Sequence, residues 1–144
     1  MKTRNVALII FYDEQKRILL QDRRGISRLG EEWGFFGGEI KEDETPEQAV
    51  IRETKEELGF DLKEYKYVGE YSYKINDSLK RKSPYFKFDI IKCKVFIASL
   101  NDNLSKLKQK EGKNMKLFSL KEAKKLKMVS KGDIKTVRML KKFL

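Results

Sequence analysis

The stretch 38–60 constrains this chain most strongly, because it joins a glycine-containing loop, one helix and a second glycine. Thr45 suits the N-cap position, Pro46 suits the first helical position, and Gln48 at N3 completes a capping-box pattern. Gly59 suits the left-handed position at which many helices end. The pattern therefore predicts a helix that begins just after Thr45 and ends just before Gly59.

The predicted helix has two distinct sides, since each residue advances about 100° around the helix axis. Val50, Ile51, Thr54 and Leu58 lie on one side. Glu53, Glu56 and Glu57 lie together on another side, where like charges repel by a few tenths of a kcal/mol per pair. A hard divalent cation would offset this repulsion by taking carboxylate oxygens. An acidic face that only meets water is the alternative, and the spacing of the glutamates leaves both interpretations open.

The composition indicates a globular protein with an anionic partner. A chain of 144 residues with 40% hydrophobic residues predicts one domain, 1–144, with a sizeable core. The formal net charge of +11 suits a nucleotide, a nucleic acid, a polyphosphate or an anionic surface. A solvated, lysine-rich surface without any such partner explains the charge equally well.

The chain contains no histidine and a single cysteine, Cys93. This composition excludes histidine-based triads, histidine metal sites, an intramolecular disulfide and a multi-cysteine zinc site. Acid–base or metal chemistry must then use carboxylates, Lys, Tyr or Cys. Cys93 lies in an apolar run, which favours a buried structural thiol.

No apolar run approaches the roughly 18 residues of a membrane-spanning helix. The short apolar run near the N-terminus leads directly into Asp13 and Glu14, so it is interpreted as a first strand and not as a signal peptide. The expectation is a cytoplasmic protein without a membrane partner.

Apolar runs of strand length alternate with polar segments along the rest of the chain. Strands are predicted at Val6–Tyr12, Arg17–Arg24, Tyr65–Lys74, Tyr85–Ala98 and Met115–Phe118, a polar loop at Asn76–Ser83, and helices after Ser119 and at Lys131–Leu144. In the third strand, Tyr67, Gly69, Tyr71 and Tyr73 are expected on one side and Val68 on the other.

Two segments before the helix suggest ligand contacts. Arg23 and Arg24 end the second predicted strand, and their guanidinium groups suit phosphate oxygens, although charge at a strand end is an equally good explanation. Phe35 and Phe36 lie among glycines, where a ring can stack on a base. The core is the favoured place for at least one of these two rings.

The stretch 38–60 resembles the signature box of the Nudix hydrolase family, which runs Gly, five residues, Glu, seven residues, then Arg-Glu-aliphatic-x-Glu-Glu-x-Gly-aliphatic. Every glycine and polar position of that pattern is matched, by Gly38, Glu44, Arg52, Glu53, Glu56, Glu57 and Gly59. Thr54 and Phe60 occupy positions that are usually aliphatic, and both can still be buried. The order of elements is similar to the whole family domain, but only the box is specific.

This resemblance implies an α/β (α+β) fold, an α/β/α sandwich around a mixed β-sheet in which the box forms loop–helix–loop. It also implies hydrolysis of a nucleoside diphosphate linked to another group, with Mg²⁺, or alternatively Mn²⁺. Glu53, Glu56 and Glu57 would hold the metal, assisted by the backbone carbonyl of Gly38.

The resemblance also implies roles outside the metal ligands. Arg52 would orient the glutamates through an ion pair, with Glu44 as its partner. Glu111, in the loop before the strand Met115–Phe118, is the expected additional acid of the metal site. Glu53 or Glu56 is expected to be the general base, with Glu111 as the alternative.

Short members of the family often hydrolyse nucleoside triphosphates, including oxidised ones, to a monophosphate and pyrophosphate. Arg23, Phe35 and Asp133 are the candidate contacts for phosphate, base stacking and base edge. Dinucleoside polyphosphates, RNA 5′ ends and ADP-ribose or other sugar nucleotides are alternative substrates. A non-catalytic nucleotide-binding module, or a basic nucleic-acid module, is the alternative class. Either a monomer or a homodimer is expected.

Overall fold

A computed structural model describes residues 2–26, 31–82, 87–108, 114–126 and 131–144. The strands are β1 (Thr3–Tyr12), β2 (Ile18–Asp22), β3 (Trp33–Gly34), β4 (Phe36–Glu39), β5 (Lys66–Lys74), β6 (Ile90–Ser99) and β7 (Met115–Phe118). The helices are α1 (Pro46–Leu58), α2 (Asp77–Lys82), α3 (Leu120–Ala123) and α4 (Lys131–Leu140), with a 3₁₀ turn at Leu104–Lys106.

The strands form one mixed sheet with β1 at its centre. The strand order is β3-β2-β1-β6-β5, with β4 also paired to β1 and β7 to β2. Among the strand pairs of the described residues, only β1–β6 is parallel, running from Thr3 opposite Ile90 to Tyr12 opposite Ser99. The other edge of β1 is shared, because β4 pairs with Val6 to Ile9 and β2 pairs at Tyr12.

Helices cover both faces of this sheet. Alternate residues of β1 point to opposite faces, as the two-residue period of a strand requires. Ala7, Ile9 and Phe11 pack with Ala49, Val50 and Leu58 of α1. On the other face, Ile10 of β1 and Val95 of β6 pack with Ala123 of α3 and with Val137 and Leu140 of α4. The predicted α/β/α sandwich around a mixed sheet is confirmed.

Most predicted elements are present, with shifted ends. The second strand ends at Asp22, so Arg23 and Arg24 follow it. The strand predicted at Tyr85–Ala98 runs over Ile90–Ser99, and residues 83–86 lie outside the described part of the chain. The predicted polar loop 76–83 contains α2, whose side chains include too few apolar groups to signal a helix. Cys93 is buried, as predicted.

The predicted sidedness of β5 is wrong at its start. Tyr67 lies opposite Phe96 and Gly69 lies opposite Val95, so Val68 is an extra residue that shifts the register. The Tyr67 ring consequently packs against the Phe96 ring on the α1 side, at a centroid distance of 5.3 Å. Val68 and Tyr71 pack on the opposite face. A bulge of this kind interrupts the alternation on which the prediction depended.

In the described part of the chain, no helix has the length and the apolar character needed to cross a membrane.

Candidate active site

The ends of α1 are held by local hydrogen bonds, and these fix which residues face the loop before the helix. The Thr45 hydroxyl accepts a hydrogen bond from the Gln48 N–H at 3.1 Å, while the Gln48 side chain accepts one from the Thr45 N–H at 2.8 Å. Gly59 has φ 62° and donates its N–H to the Lys55 carbonyl at 3.0 Å. The capping box and the glycine at the end of the helix are thus both confirmed. They set where α1 begins and ends, and so which way its glutamates point.

The glycine pair of β4 brings the backbone close to those glutamates. Gly37 has φ +135°, and a Cβ there would lie 2.2 Å from the Ala7 carbonyl oxygen of β1. Its N–H donates to Glu57 Oε1 at 2.9 Å. A Cβ on Gly38 would lie 2.4 Å from Glu53 Oε1. Gly37 therefore requires glycine because of the β1 backbone, whereas a Cβ at Gly38 would displace the Glu53 carboxylate.

Arg52 is the centre of the hydrogen-bond network. Its guanidinium holds Glu44 through two bonds, Nε to Oε2 at 2.9 Å and Nη2 to Oε1 at 2.6 Å. Nη2 also donates to the Glu39 carbonyl at 3.0 Å. Nη1 donates to Glu53 Oε1 at 3.0 Å and to Glu56 Oε2 at 3.3 Å. One side chain therefore links the loop before α1 to two of the candidate metal ligands.

The charges of this network are strongly coupled. The Arg52 guanidinium, followed by the Lys41 N–H at 2.9 Å, lowers the pKa of Glu44 from 4.5 to about 2. The same bonds raise the pKa of Arg52. Glu44 and Arg52 are consequently a permanent ion pair at any pH at which an enzyme would work.

The donor chemistry of the cluster fits a hard divalent cation, because Glu53, Glu56 and Glu57 all offer carboxylate oxygens, with Glu53 beside Gly38 and Glu57 bonded to Gly37. Across the residues that the structure describes, however, no three Asp, Glu, Cys or His side chains converge as a ready-made metal site. Arg52 holds Glu53 and Glu56, and Glu57 bonds to Gly37. The three candidate ligands therefore already have hydrogen-bond partners within the protein.

Accessibility distinguishes the three glutamates. Glu57 is buried, and the side chain of Glu53 is 16% exposed, whereas that of Glu56 is 57% exposed. Glu57 and Glu53 are thus fixed by their surroundings, while Glu56 can reorient toward a ligand.

Both arginines predicted to contact phosphate are paired with acids. Arg23 Nε bonds to Glu31 Oε1 at 3.1 Å, and Glu31 is almost fully buried. Arg24 bonds to Asp22 through Nε at 2.9 Å and Nη2 at 2.6 Å, and its guanidinium lies 5.6 Å from the Trp33 ring centroid. A phosphate contact by Arg23 would have to share the guanidinium with Glu31.

Phe35 is a core residue, and its ring does not offer a free face for base stacking. It is 8% exposed and packs among Ile10 and Ile18, while its carbonyl accepts a hydrogen bond from Gln21 Nε2 at 3.1 Å. Phe36 is completely buried on the other face. The prediction that at least one of these rings is core is confirmed, and the stacking role of Phe35 is corrected.

Two predicted site residues cannot be placed by their side chains. Glu111 lies outside the described residues, and Asp133 lies on α4 with a side chain that is outside the described part. Sequence reasoning in turn missed Gly37, the Glu39 carbonyl and Glu31. A signal for Gly37 was available in the adjacent pair Gly37-Gly38, whereas the Glu31–Arg23 pair depends on a loop conformation that no local pattern encodes.

A glycine-bearing strand that meets an acidic helix on an α/β/α sandwich is the arrangement of a Nudix-type domain. The family model described as NUDIX domain matches residues 1–140, and the chain belongs to this family.

Parts of this chain are similar in sequence to other proteins. An 8-oxo-dGTP diphosphatase of Proteus vulgaris is 36% identical over 61 residues, covering 42% of this chain and 54% of the relative. An RNA pyrophosphohydrolase of Marinomonas sp. (strain MWYL1) is 43% identical over 58 residues, covering 37% of this chain and 36% of the relative. These matches span only about a third to a half of the relatives' own length.

Solved structures share the fold over nearly the whole chain. The E. coli ORF135 protein has a TM-score of 0.72 at 24% identity, covering 99% of this chain and 91% of that chain. At this identity, the likeness bears on the fold alone.

Proposed function

We propose that this protein, as a single domain over 1–144, hydrolyses the diphosphate linkage of a nucleoside diphosphate derivative. The first candidate substrate is a nucleoside triphosphate, including oxidised forms, with a monophosphate and pyrophosphate as products. The observation that supports the proposal is the Arg52 network, in which one guanidinium bonds to both Glu53 and Glu56, and Glu53 lies beside Gly38. The name of the 8-oxo-dGTP diphosphatase supports this substrate class.

Nudix hydrolases generally use divalent metal ions. We propose Mg²⁺, with Mn²⁺ as the alternative, held by Glu53, Glu56, Glu57 and the Gly38 carbonyl. Glu111 remains the proposed additional ligand. Such an ion lowers the pKa of bound water and neutralises charge on phosphoryl oxygens.

The protein's own residues supply orientation and proton transfer. Arg52 and Glu44 form a fixed ion pair, so the guanidinium holds a constant position relative to α1. Glu53, only slightly exposed and in contact with Gly38, is suited to accept a proton from a water molecule in a defined place. Glu56 is the alternative base, since its exposed carboxylate is free to turn toward the substrate.

Substrate contacts are proposed at two positions. Arg23 would contact phosphate while it stays paired with Glu31, because a guanidinium has five N–H donors. Asp133 would contact the base edge. Phe35 contributes to packing, and its ring is not proposed as a stacking platform. A cytoplasmic location, where nucleotides are abundant, is proposed with this function.

The decisive experiment is a substrate panel. The purified protein is incubated with Mg²⁺ or Mn²⁺ and with 8-oxo-dGTP, the common nucleoside triphosphates, ADP-ribose, a dinucleoside polyphosphate and RNA bearing a 5′-triphosphate. Chromatography identifies the nucleotide products, and a coupled assay measures pyrophosphate. We expect monophosphate and pyrophosphate from at least one triphosphate, and none from a Glu53→Gln control. An absence of turnover with every compound and both metals would contradict the proposal.

The 5′ end of RNA is the second candidate substrate. The similarity to an RNA pyrophosphohydrolase and the net charge of +11 both favour a polyanionic substrate. In the same panel, a higher kcat/KM for 5′-triphosphate RNA than for GTP would select this candidate. Tight nucleotide binding without turnover would instead indicate the non-catalytic module.

A further inference from the structure

The positive charge of this protein is concentrated in its last helical layer. Residues 119–144 carry nine Lys or Arg and two Asp or Glu, a net charge of +7 within the total of +11. The described parts of this segment, 119–126 and 131–144, form α3, α4 and the turns after them, on the sheet face opposite α1. The candidate catalytic glutamates are therefore on one side of the sandwich and most of the net positive charge is on the other.

The packing of the two helices turns the cations outward. Ala123, Val137 and Leu140 are buried against the sheet. The exposed cationic residues of this layer are Lys121, Lys124, Lys125, Lys135, Arg138, Lys141 and Lys142. Most of the apolar residues of the helices pack in the core, and the exposed residues of the layer are mostly cationic, with Glu122, Ile134 and Phe143 exposed among them. We call this surface the α3–α4 basic face.

Three cations of the basic face lie near one another. Lys124, Arg138 and Lys141 each follow directly on a residue of one buried cluster, Ala123, Val137 and Leu140. The positive charge of Lys141, with a smaller effect of Arg138, lowers the pKa of Lys124. Among the described residues, no carboxylate is paired with Lys124, Arg138 or Lys141. The one acid of this layer whose side chain is described, Glu122, is engaged in capping Ser119.

An aromatic ring borders the same surface. Phe143, in the turn after α4, is 39% exposed, and Lys66 of β5 places its ammonium 5.2 Å from the ring centroid. The ring therefore lies beside the Lys66 ammonium of β5 and next in the chain to Lys142, in the turn after α4. Exposed aromatic rings among basic side chains are the arrangement on which unpaired bases stack while their phosphates are neutralised.

We propose that the α3–α4 basic face binds the phosphodiester backbone of single-stranded nucleic acid without sequence preference. Lys124, Arg138 and Lys141 would each gain a phosphate partner, and Phe143 would stack on a base. Stacked bases in a duplex offer no open face to such a ring. A membrane surface fits less well, because Val137 and Leu140 of α4 are buried, and the large apolar side chains left exposed in the described part of this layer are Ile134 and Phe143, too few for an inserting face.

Binding is tested on the full chain by fluorescence anisotropy with a labelled oligouridylate that has a 5′-hydroxyl end, so that the probe offers no terminal diphosphate for hydrolysis. Dissociation constants are measured over a range of KCl concentrations. Wild type is expected to bind with a steep negative slope of log K against log salt concentration.

The variant Lys124→Gln/Lys141→Gln removes two cations from the basic face. It is expected to lose about tenfold in affinity at low salt, and the slope is expected to shrink by about 1.4, since each contact to a single strand contributes about 0.7. The matched control, Lys63→Gln/Lys92→Gln, removes the same charge elsewhere on the exposed surface and should bind almost as wild type does. Circular dichroism verifies that both variants are folded.

Phe143→Ala gives an independent readout. It is expected to weaken binding about fivefold at an unchanged salt slope, because stacking releases no counterions. An equal loss in the control variant would overturn the proposal, since net charge alone would then explain binding. Binding to phosphatidylserine vesicles without binding to the oligouridylate would also overturn it.

The proposal stands apart from the proposed hydrolase activity. Turnover of a mononucleotide without oligouridylate binding would remove the basic face as a nucleic-acid site and leave the hydrolase intact. Oligouridylate binding without any turnover would support the basic face as a nucleic-acid site and contradict the proposed hydrolase activity.

Discussion

Arg52 and Glu44 are joined by two hydrogen bonds, at 2.9 Å and 2.6 Å, across the start of α1. The bidentate geometry fixes the guanidinium plane, and the remaining N–H groups then reach Glu53, Glu56 and the Glu39 carbonyl. The position of the candidate metal ligands therefore depends on a residue that we do not expect to contact the metal.

Arg52→Lys is expected to lower kcat/KM by about 10- to 100-fold, because an ammonium group cannot reproduce the planar fork and small misplacements in an active site are costly. Steady-state kinetics on the best substrate of the panel measures the effect. The matched control is Arg17→Lys, since Arg17 bonds to Asp13 through Nε at 2.7 Å on the first hairpin. Equal losses in the two variants would contradict an orienting role for Arg52.

Glu53→Gln and Glu57→Gln are each expected to lower turnover by about two to four orders of magnitude while the thermal midpoint changes little. The amide keeps the shape of the side chain but removes the negative charge that a cation or a proton would need. Glu47→Gln, in the exposed first turn of the same helix, is the control. Near wild-type turnover of either variant in saturating Mg²⁺ would show that the metal-site assignment is wrong.

The stability contributed by Glu44 should depend on pH in a defined direction. Its pKa is about 2 in the folded protein against an ordinary value of 4.5, so the unfolded chain binds more protons between these values. The contribution is fully present above pH 4.5 and is lost as the pH falls toward 2. Urea unfolding of wild type and Glu44→Gln should therefore give a difference that shrinks over this range. A difference that is constant down to pH 2 would contradict it.

Substitution of the two glycines of β4 should affect stability and activity differently. Gly37→Ala is expected to destabilise the fold by at least about 1–3 kcal/mol, because its φ is +135° and the new Cβ would meet the β1 backbone. Gly38→Ala meets only the end of the Glu53 side chain, so activity should fall far more than stability. Thermal unfolding and kcat together separate these outcomes, and the same pattern in both variants would refute the distinction.

Thr54→Val is expected to raise the free energy of unfolding by about 1 kcal/mol, since the Thr54 hydroxyl is buried and has no hydrogen-bond partner among the described residues. Thr136→Val is the matched control. Thr136 is equally buried, but its hydroxyl is hydrogen-bonded to the Tyr71 hydroxyl, so its loss should destabilise. Chemical unfolding measures both, and changes of the same sign would contradict the argument.

The features that could be predicted from sequence are those encoded within a few residues. Thr45, Gln48 and Gly59 define the ends of α1 through contacts three or four residues apart, and Ser119 and Glu122 do the same for α3. The Glu44–Arg52 pair was predicted only through the family resemblance. Glu44 lies at the end of the turn that precedes α1, and no periodicity describes the conformation of that turn.

The features that could not be predicted depend on distant parts of the chain. Val68 is an extra residue only relative to the partner strand β6, so the sequence of β5 alone carries no sign of the bulge. Phe35 is buried because Ile10 and Ile18 enclose it. The engagement of Arg23 by Glu31 likewise depends on how the intervening segment folds back.

The pairing of β1 has a consequence for synthesis on the ribosome. The strand is synthesised before its parallel partner β6, which ends at Ser99. Until that residue has left the exit tunnel, one edge of β1 keeps its amide and carbonyl groups unpaired and exposes them to other chains. The nascent protein therefore carries an open strand edge while β4 and α1 have already been synthesised. A premature stop before Ile90 would leave that edge open permanently.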